Sequence, residues 1–164
     1  MKRLILSIML GLNAAPAFAQ DPTEAVRFFY NDPGSELATE NRDRFAGKAK
    51  DVLDAADKEA DSDNGPCIDF MPSVDGQDFD DEELKKSLKL SGAMAGDSGS
   101  VQATFKQFGE DATIFWTLEK VGDEWKVSDI DSPRMAGSCP ASIARPFRRN
   151  SSLTRALQTL GIPA

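Results

Sequence analysis

The feature that most restricts the fold is a series of segments between residues 99 and 131 in which apolar and polar residues alternate. Very short connections join these segments. The apolar positions of two of these segments are Val101, Ala103, Phe105, Ile114, Trp116 and Leu118. In the first segment they alternate with Gln102, Thr104 and Lys106, and in the second with Thr113, Thr117 and Glu119. This period of two is typical of strands that bury one face. Gly109-Glu110-Asp111 and Gly122-Asp123 separate neighbouring segments. Because such short connections form hairpins, the sequence predicts an antiparallel meander.

The order of elements predicts helices first and strands afterwards. Residues 21–30 are predicted to be a helix, with Asp21 as its N-cap and Pro22 at its first position. A second helical stretch is predicted over 35–60, with an interruption near Gly47, and a short edge strand over 67–71. Strands are predicted over 84–91, 99–108, 111–121 and 124–131. The expected fold class is α+β, with N-terminal helices packed on a curved antiparallel sheet of about four strands.

The first 19 residues have the pattern of a secretory signal peptide. Lys2 and Arg3 precede an apolar run, and Ala17-Phe18-Ala19 supplies the small residues that precede cleavage. The apolar run is too short to span a membrane, and no cysteine follows the cleavage site to carry a lipid. The sequence therefore predicts a periplasmic or secreted protein with a signal peptide at 1–19, one domain at 20–131 and an extension at 132–164.

The chain has two cysteines, Cys67 and Cys139. In an oxidising compartment an even number of cysteines favours a disulfide, and the alternative is a pair of buried thiols. The spacing is not CxxC, so the predicted disulfide is structural.

Composition excludes several functions. The chain has no histidine, which excludes Ser-His-Asp and Cys-His nucleophile systems and any zinc site built with histidine. A formal net charge of −8 argues against nucleic acid as a partner. We expect no cofactor, no membrane-spanning segment, and a monomer or homodimer.

Charge is distributed unevenly along the chain. Residues 51–83 are strongly acidic, whereas 132–164 contain five arginines and no acidic residue. The acidic region offers oxygen ligands for calcium, but it does not match the EF-hand pattern, and a solvated loop is the favoured interpretation. The basic extension is predicted to dock on residues 51–83; an external acidic partner or surface and plain disorder are the alternatives.

Three segments together resemble a known family. The aromatic residues Phe28 to Tyr30, the stretch CIDFMPSVDGQDF with Asp69 and Gln77-Asp78, and the final strand pair ending in residues 125–130 carry the likeness. They resemble a family of small exported bacterial proteins of unknown function. The resemblance implies the cone-shaped fold shared by nuclear transport factor 2 and ketosteroid isomerase, in which helices close one side of a cavity. It implies no particular activity.

Two groups of residues are candidates for a site in such a cone. Asp69 and Asp78 are candidates for a general base, although binding to backbone amides in their loop is the favoured interpretation. Aromatic side chains form the second group and are either ligand-pocket residues or simply core: Tyr30, Phe105, Trp116 and Trp125.

The function predicted from these features is an exported, non-catalytic binding module of the bacterial envelope, which binds a protein partner or a small ligand. One alternative is an enzyme of the isomerase or dehydratase type that uses an aspartate base. The other is a structural module stabilised by calcium.

Overall fold

A computed structural model describes residues 21–63 and 65–134, and it has an α+β fold. Two short 3-10 segments, Ser35–Leu37 and Thr39–Arg44, connect the first two helices. The helices and strands are, in chain order, α1 (Pro22–Asn31), α2 (Gly47–Ala60), α3 (Asp81–Ser87), β1 (Lys89–Ala95), β2 (Ser98–Gln107), β3 (Glu110–Val121) and β4 (Glu124–Asp131).

The four strands form one curved antiparallel sheet in the order β1-β2-β3-β4, which confirms the predicted meander and the α+β class. The β3–β4 register shifts between Thr117 and Leu118, where the ladder is irregular. Alternation along the strands places one set of side chains against the helices and the other set on the opposite face. We call these the inner face and the outer face.

Helix α1 begins as the sequence predicts. The Asp21 side chain accepts a hydrogen bond from the Thr23 backbone N–H at 2.9 Å, and Pro22 occupies the first turn. Val26, Phe29 and Tyr30 are buried. Their spacing of three and four residues directs them towards the inner face of the sheet.

The prediction of a strand over 84–91 is wrong in its first half, because residues 81–87 form α3. Asp80 caps this helix by accepting a hydrogen bond from the Glu83 N–H at 2.9 Å. Lys85 pairs with Asp81 one turn away, at 2.7 Å. A capping aspartate and three acidic residues in the first turn favour a helix start, and only the chain from Lys89 onwards enters the sheet.

Two further predictions of local structure are corrected. The helix expected over 35–60 is continuous only from Gly47, because the chain before it forms 3-10 turns and then extends at Phe45. The strand expected over 67–71 is absent from the described structure; only Met71 makes a bridge, with Gly76. The segment between these two residues is therefore a closed loop.

The core lies between the helices and the inner face. Trp116 is its largest fully buried side chain, and its ring stacks on Phe29 with centroids 5.5 Å apart and planes 9° apart. Phe45 contacts the other side of this cluster, 5.1 Å from Phe29. Stacked and edge-on aromatic pairs of this kind contribute beyond their buried area.

The β4 edge of the sheet is partly covered by the chain that leads into α2. Phe45 forms a parallel bridge with Val127, and the Ala46 N–H donates to the Val127 carbonyl at 2.9 Å. Lys48 then pairs with Asp129 at 3.3 Å. These contacts fix α2 beside β4, and they leave the outer faces of β1, β2 and β3 with no described element packed on them.

Several predictions lie outside the described residues: the signal peptide, Cys139 and nearly all of the 132–164 extension. No helix within 21–63 and 65–134 is long and apolar enough to cross a membrane.

Candidate protein-binding surface

All four candidate pocket aromatics are buried in the core. Trp116 is 1% exposed, and Tyr30 and Phe105 are also buried. The Tyr30 ring lies 5.8 Å from Phe105 and 5.9 Å from Trp116. These contacts agree with the interpretation of these residues as core. A role as ligand-pocket residues stays a prediction.

Tyr30 and Trp116 also share a buried hydrogen bond. The Trp116 Nε1–H donates to the Tyr30 hydroxyl at 3.3 Å. Burial raises the pKa of the Tyr30 phenol far above its ordinary value. The hydroxyl thus stays protonated and accepts a bond that satisfies the indole within an apolar core.

Trp125 belongs to the same core and, at 8%, is the most exposed of the four. It borders a groove of about 490 Å³ between the start of α1 and β4. Arg44 and Lys126 also line this groove, together with acidic residues from both sides: Asp21, Glu24, Asp43 and Glu124. The Arg44 guanidinium lies 3.6 Å from the centre of the Phe28 ring, so it makes a cation–π contact.

Asp69 and Asp78 are both exposed and make local contacts. Asp69 accepts a hydrogen bond from the Gln77 side-chain amide at 3.0 Å, and the Asp78 carboxylate accepts one from the Phe79 N–H at 2.9 Å. No hydrogen bond found among the described residues joins the two aspartates. These contacts hold the loop before α3, as the structural interpretation expects, and a catalytic role for either aspartate stays a prediction.

Sequence reasoning missed a buried carboxyl group, Glu36. Its side chain is fully buried, and it accepts hydrogen bonds from the Gly34 and Ser73 N–H groups, both at 2.8 Å. Desolvation raises its pKa above the ordinary value, although the two N–H donors oppose that shift. Glu36 thereby joins the turn after α1 to the loop at 71–76. No sequence signal distinguishes it from an exposed glutamate.

The loop at 71–76 also holds the chain that follows β4. The Arg134 N–H donates to the Asp75 carboxylate at 2.8 Å, and Asp75 adopts a left-handed backbone with φ 51°. Cys67 is half-buried and carries no free thiol. Because Cys139 lies outside the described residues, the pairing of the two cysteines stays a prediction.

Within the described part of the chain, no group of three or more histidine, cysteine or acidic residues is placed to hold a metal ion. The acidic residues of 51–83 instead make separate contacts along α2, the following loop and α3. Arg42, for example, contacts Asp54 at 3.3 Å and Asp57 at 2.8 Å.

The outer face has an uncharged centre. Direct cross-strand pairs place Ser91, Gln102 and Phe115 in one row, and Ala93 and Ser100 in the next. The full set, which we call the central patch, is Ser91, Ala93, Ser100, Gln102, Thr104, Thr113, Phe115 and Thr117. Although 28% of the residues in the chain are charged, none of these eight is. Phe115 is 36% exposed and lies on the β3 side of the patch, with Asp131 of β4 as its other cross-strand partner.

An exposed aromatic residue also stands at the tip of the β2–β3 hairpin. Phe108 is 63% exposed and has φ 53°, and Gly109 beside it has φ 84°. Positive φ at both central residues defines a type I′ turn, in which asparagine or aspartate usually occupies the first position. A bulky side chain in this conformation is strained.

An uncharged surface beside an exposed aromatic residue resembles the composition at the centre of a protein–protein interface. The alternation of apolar and polar residues in the sequence predicts part of this outer surface, because it indicates which side chains point away from the core. The separation of Phe115 from Trp116, two neighbouring aromatics on opposite faces, follows from the same period.

No family model matches this sequence, and no curated protein matches it. The fold is similar to a chain in the crystal structure of the type VI native effector-immunity complex Tae3-Tai3 from Ralstonia pickettii. The two share 19% identity over 68% of this chain and 93% of that chain, with a TM-score of 0.49. The selenomethionine form of the same complex gives 19% identity, the same coverage of this chain, 95% of that chain, and a TM-score of 0.48.

The prediction of a non-catalytic binding module with an open choice between a protein and a small ligand is wrong. The solved chains that resemble this fold come from an effector-immunity complex, in which the partner is a protein.

Proposed function

We propose that this chain binds a second protein through the central patch, in the manner of one member of an effector-immunity pair. The observation that carries the proposal is the patch itself, eight uncharged residues that include Phe115, 36% exposed, on a face that no described element covers. Export to the periplasm, as the N-terminal sequence predicts, is the proposed setting.

The composition of the patch suits a partner that packs flat on the sheet. On β1 and β2 the patch has small side chains at Ser91, Ala93 and the buried Ser100, so no large side chain projects there. Charged residues border the patch on the same face, among them Lys89, Lys106, Asp111, Asp129 and Asp131. An interface that buries uncharged groups avoids the cost of desolvating charge at its centre, and the charged rim then determines orientation and association rate.

The rigidity of the sheet supports the same proposal. β2 and β3 pair continuously from Ser98 with Glu119 to Gln107 with Glu110. Trp116 and Ile114 anchor the strand from the inner side, each 1% exposed. Phe115 is therefore presented on an ordered backbone, which reduces the entropy that binding would otherwise cost.

Site-specific photo-crosslinking in the host that naturally produces the chain tests this proposal. The full-length chain would carry p-benzoylphenylalanine in place of Phe115 or, as a matched control, in place of Met94. Met94 is 52% exposed on β1, and its cross-strand partner is Gly99. We expect an adduct with one other protein from position 115 and none from position 94.

Two outcomes contradict the proposal. One is the absence of an adduct at position 115, or equal adducts at 115 and 94. The other is an adduct of twice the chain mass, which would show that the patch binds a second copy. A single hetero-adduct is then checked with the purified partner, for which Phe115→Ala should weaken binding by a factor of ~30, as expected for an aromatic anchor.

A further inference from the structure

We propose that Phe108, at the tip of the β2–β3 hairpin, is a second anchor, which inserts into an apolar pocket with a basic rim on the partner protein. This inference rests on the proposed function only in assuming a protein partner. It concerns a separate surface, and the observations behind it are the exposure of Phe108, its backbone conformation and the charges around it.

The hairpin tip is held in place by α3. The Gly109 N–H donates to both carboxylate oxygens of Glu83, at 3.1 and 3.2 Å. The Lys106 N–H donates to the Ser87 hydroxyl at 2.8 Å, and that hydroxyl donates to the Glu83 carbonyl at 2.6 Å. The main chain on both sides of Phe108 is therefore bonded to one helix.

A further contact secures the strand before the tip. The Gln107 side-chain amide donates to the Asp78 carbonyl at 3.1 Å. Lys106 pairs with Asp111 at 3.0 Å across the hairpin. The exposed ring is thus carried on a fixed backbone, so its insertion into a pocket would cost little conformational entropy.

The backbone conformation of Phe108 gives an independent reason to assign this residue to binding. The first position of a type I′ turn favours asparagine, aspartate or glycine, which tolerate positive φ. Phenylalanine at this position combines backbone strain with 63% exposure of an apolar ring. Folding gains from neither feature, and strained residues held by their surroundings concentrate at functional sites.

The charges around the tip specify the chemistry of the partner. The groove that Phe108 lines also contains the acidic residues Asp80, Glu82 and Glu83, against the basic residues Lys86 and Lys106. Glu110 follows in the hairpin. Within the described residues, Glu82 and Glu110 form no ion pair. The excess of negative charge complements a basic rim and opposes an acidic one.

The test places p-benzoylphenylalanine at position 108 of the full-length chain in the natural host, with Val121 as the matched control. Val121 is 46% exposed beside the β3–β4 turn, at the far end of β3. Mass spectrometry of the adduct identifies the crosslinked peptide of the partner. We expect an adduct from 108 and none from 121, with lysine or arginine flanking apolar residues in that peptide.

The absence of an adduct at 108, or an adduct with a neutral or acidic peptide, overturns the inference. Comparison with position 115 separates the two proposals. An adduct at 108 without one at 115 contradicts the central patch alone, and the reverse contradicts the Phe108 anchor alone.

A pair of substitutions provides the second measurement, with the crosslinked partner purified. Phe108→Asn keeps a residue that tolerates positive φ but removes the ring, whereas Phe108→Tyr keeps the ring. We expect binding to weaken by a factor of ~10 or more for Phe108→Asn and to change little for Phe108→Tyr. Equal affinities for both variants would overturn the inference.

Discussion

The two faces of β3 differ in what they contribute to the protein. On the inner face Ile114, Trp116 and Leu118 are each 1% exposed, and they pack against the helices. On the outer face Thr113, Phe115 and Thr117 alternate with them and meet no described helix. One strand thus carries a core that determines stability and a surface that is free to determine binding. Two adjacent aromatic residues, Phe115 and Trp116, therefore lie on opposite faces, one exposed and one in the core.

The largest effect is expected from the inner face. Replacing Trp116 with alanine removes the ring that stacks on Phe29 and contacts Tyr30. It should lower the free energy of unfolding by about 3–5 kcal/mol, as for other buried aromatic residues. Urea denaturation followed by circular dichroism measures this change. A loss below ~1 kcal/mol, the scale of an ordinary substitution, would show that Trp116 is not central to the core.

The same measurement on Phe115→Ala gives the other half of the comparison. Because the ring is 36% exposed and faces away from the core, unfolding free energy should change by less than ~1 kcal/mol. Partner affinity should instead fall by ~2 kcal/mol, measured by calorimetry with the crosslinked partner. Destabilisation as large as that of Trp116→Ala would remove the distinction between the faces.

The buried hydrogen bond between Tyr30 and Trp116 is a second contribution of the inner face to stability. Tyr30→Phe removes the hydroxyl that accepts from the Trp116 indole N–H. The indole is then left unsatisfied in the core, which should cost about 1–3 kcal/mol. Thermal and urea unfolding measure the loss, and the Trp116 indole proton should shift in an NMR spectrum. An unchanged stability would indicate that the indole does not depend on Tyr30.

Glu36 predicts how stability depends on pH. The pKa of the Glu36 carboxyl group is raised above 4.5 in the folded protein. Its contribution to the free energy of unfolding is therefore complete below the pKa that this group has in the unfolded chain, and it is lost as pH rises through the pKa of the folded protein. Between those two values, the free energy of unfolding should fall by about 1.4 kcal/mol per pH unit from this group.

Urea titrations of the wild type and of Glu36→Gln from pH 4 to pH 8 measure this dependence, and the difference between the two chains isolates Glu36. Glutamine does not titrate, so the advantage of the wild type should decrease as pH rises. A difference that is constant with pH, or that grows with it, would contradict the raised pKa.

The smallest effect is expected at the hairpin tip. Phe108→Gly relieves positive φ, at the cost of a more flexible unfolded chain, and should raise stability by about 0.5–1 kcal/mol. Val121→Thr, an exposed control on the same strand pair, should leave stability unchanged. A clear loss of stability in Phe108→Gly would show that the ring contributes to the fold and is not held for binding.

Sequence reasoning succeeds where one rule dominates. Val101 and Phe105 alternate with polar residues, so β2 follows from period alone, and Asp21-Pro22 marks the start of α1. It fails over 84–91, because Leu84, Leu88 and Leu90 satisfy both a strand and a helix that ends early. The cap at Asp80 decides between them.

The sites follow a similar division. Tyr30 and Trp116 are buried, which agrees with their interpretation as core residues from the helix and strand periods. Burial of Glu36 depends on N–H groups of Gly34 and Ser73, which are far apart in sequence, so no local pattern reveals it. The strand predicted over 99–108 includes Phe108, and only the hairpin register shows that this residue occupies a turn with positive φ.

Hydroxyl-radical footprinting tests the central claim most directly. Oxidation rates of Phe115 and Met94 would be compared in the purified full-length protein and in cells of the natural host. If the central patch binds a partner, oxidation of Phe115 is several-fold slower in cells, whereas Met94 on β1 is oxidised equally in both. Equal oxidation of Phe115 in the two conditions would contradict the assignment of the outer face as the binding surface.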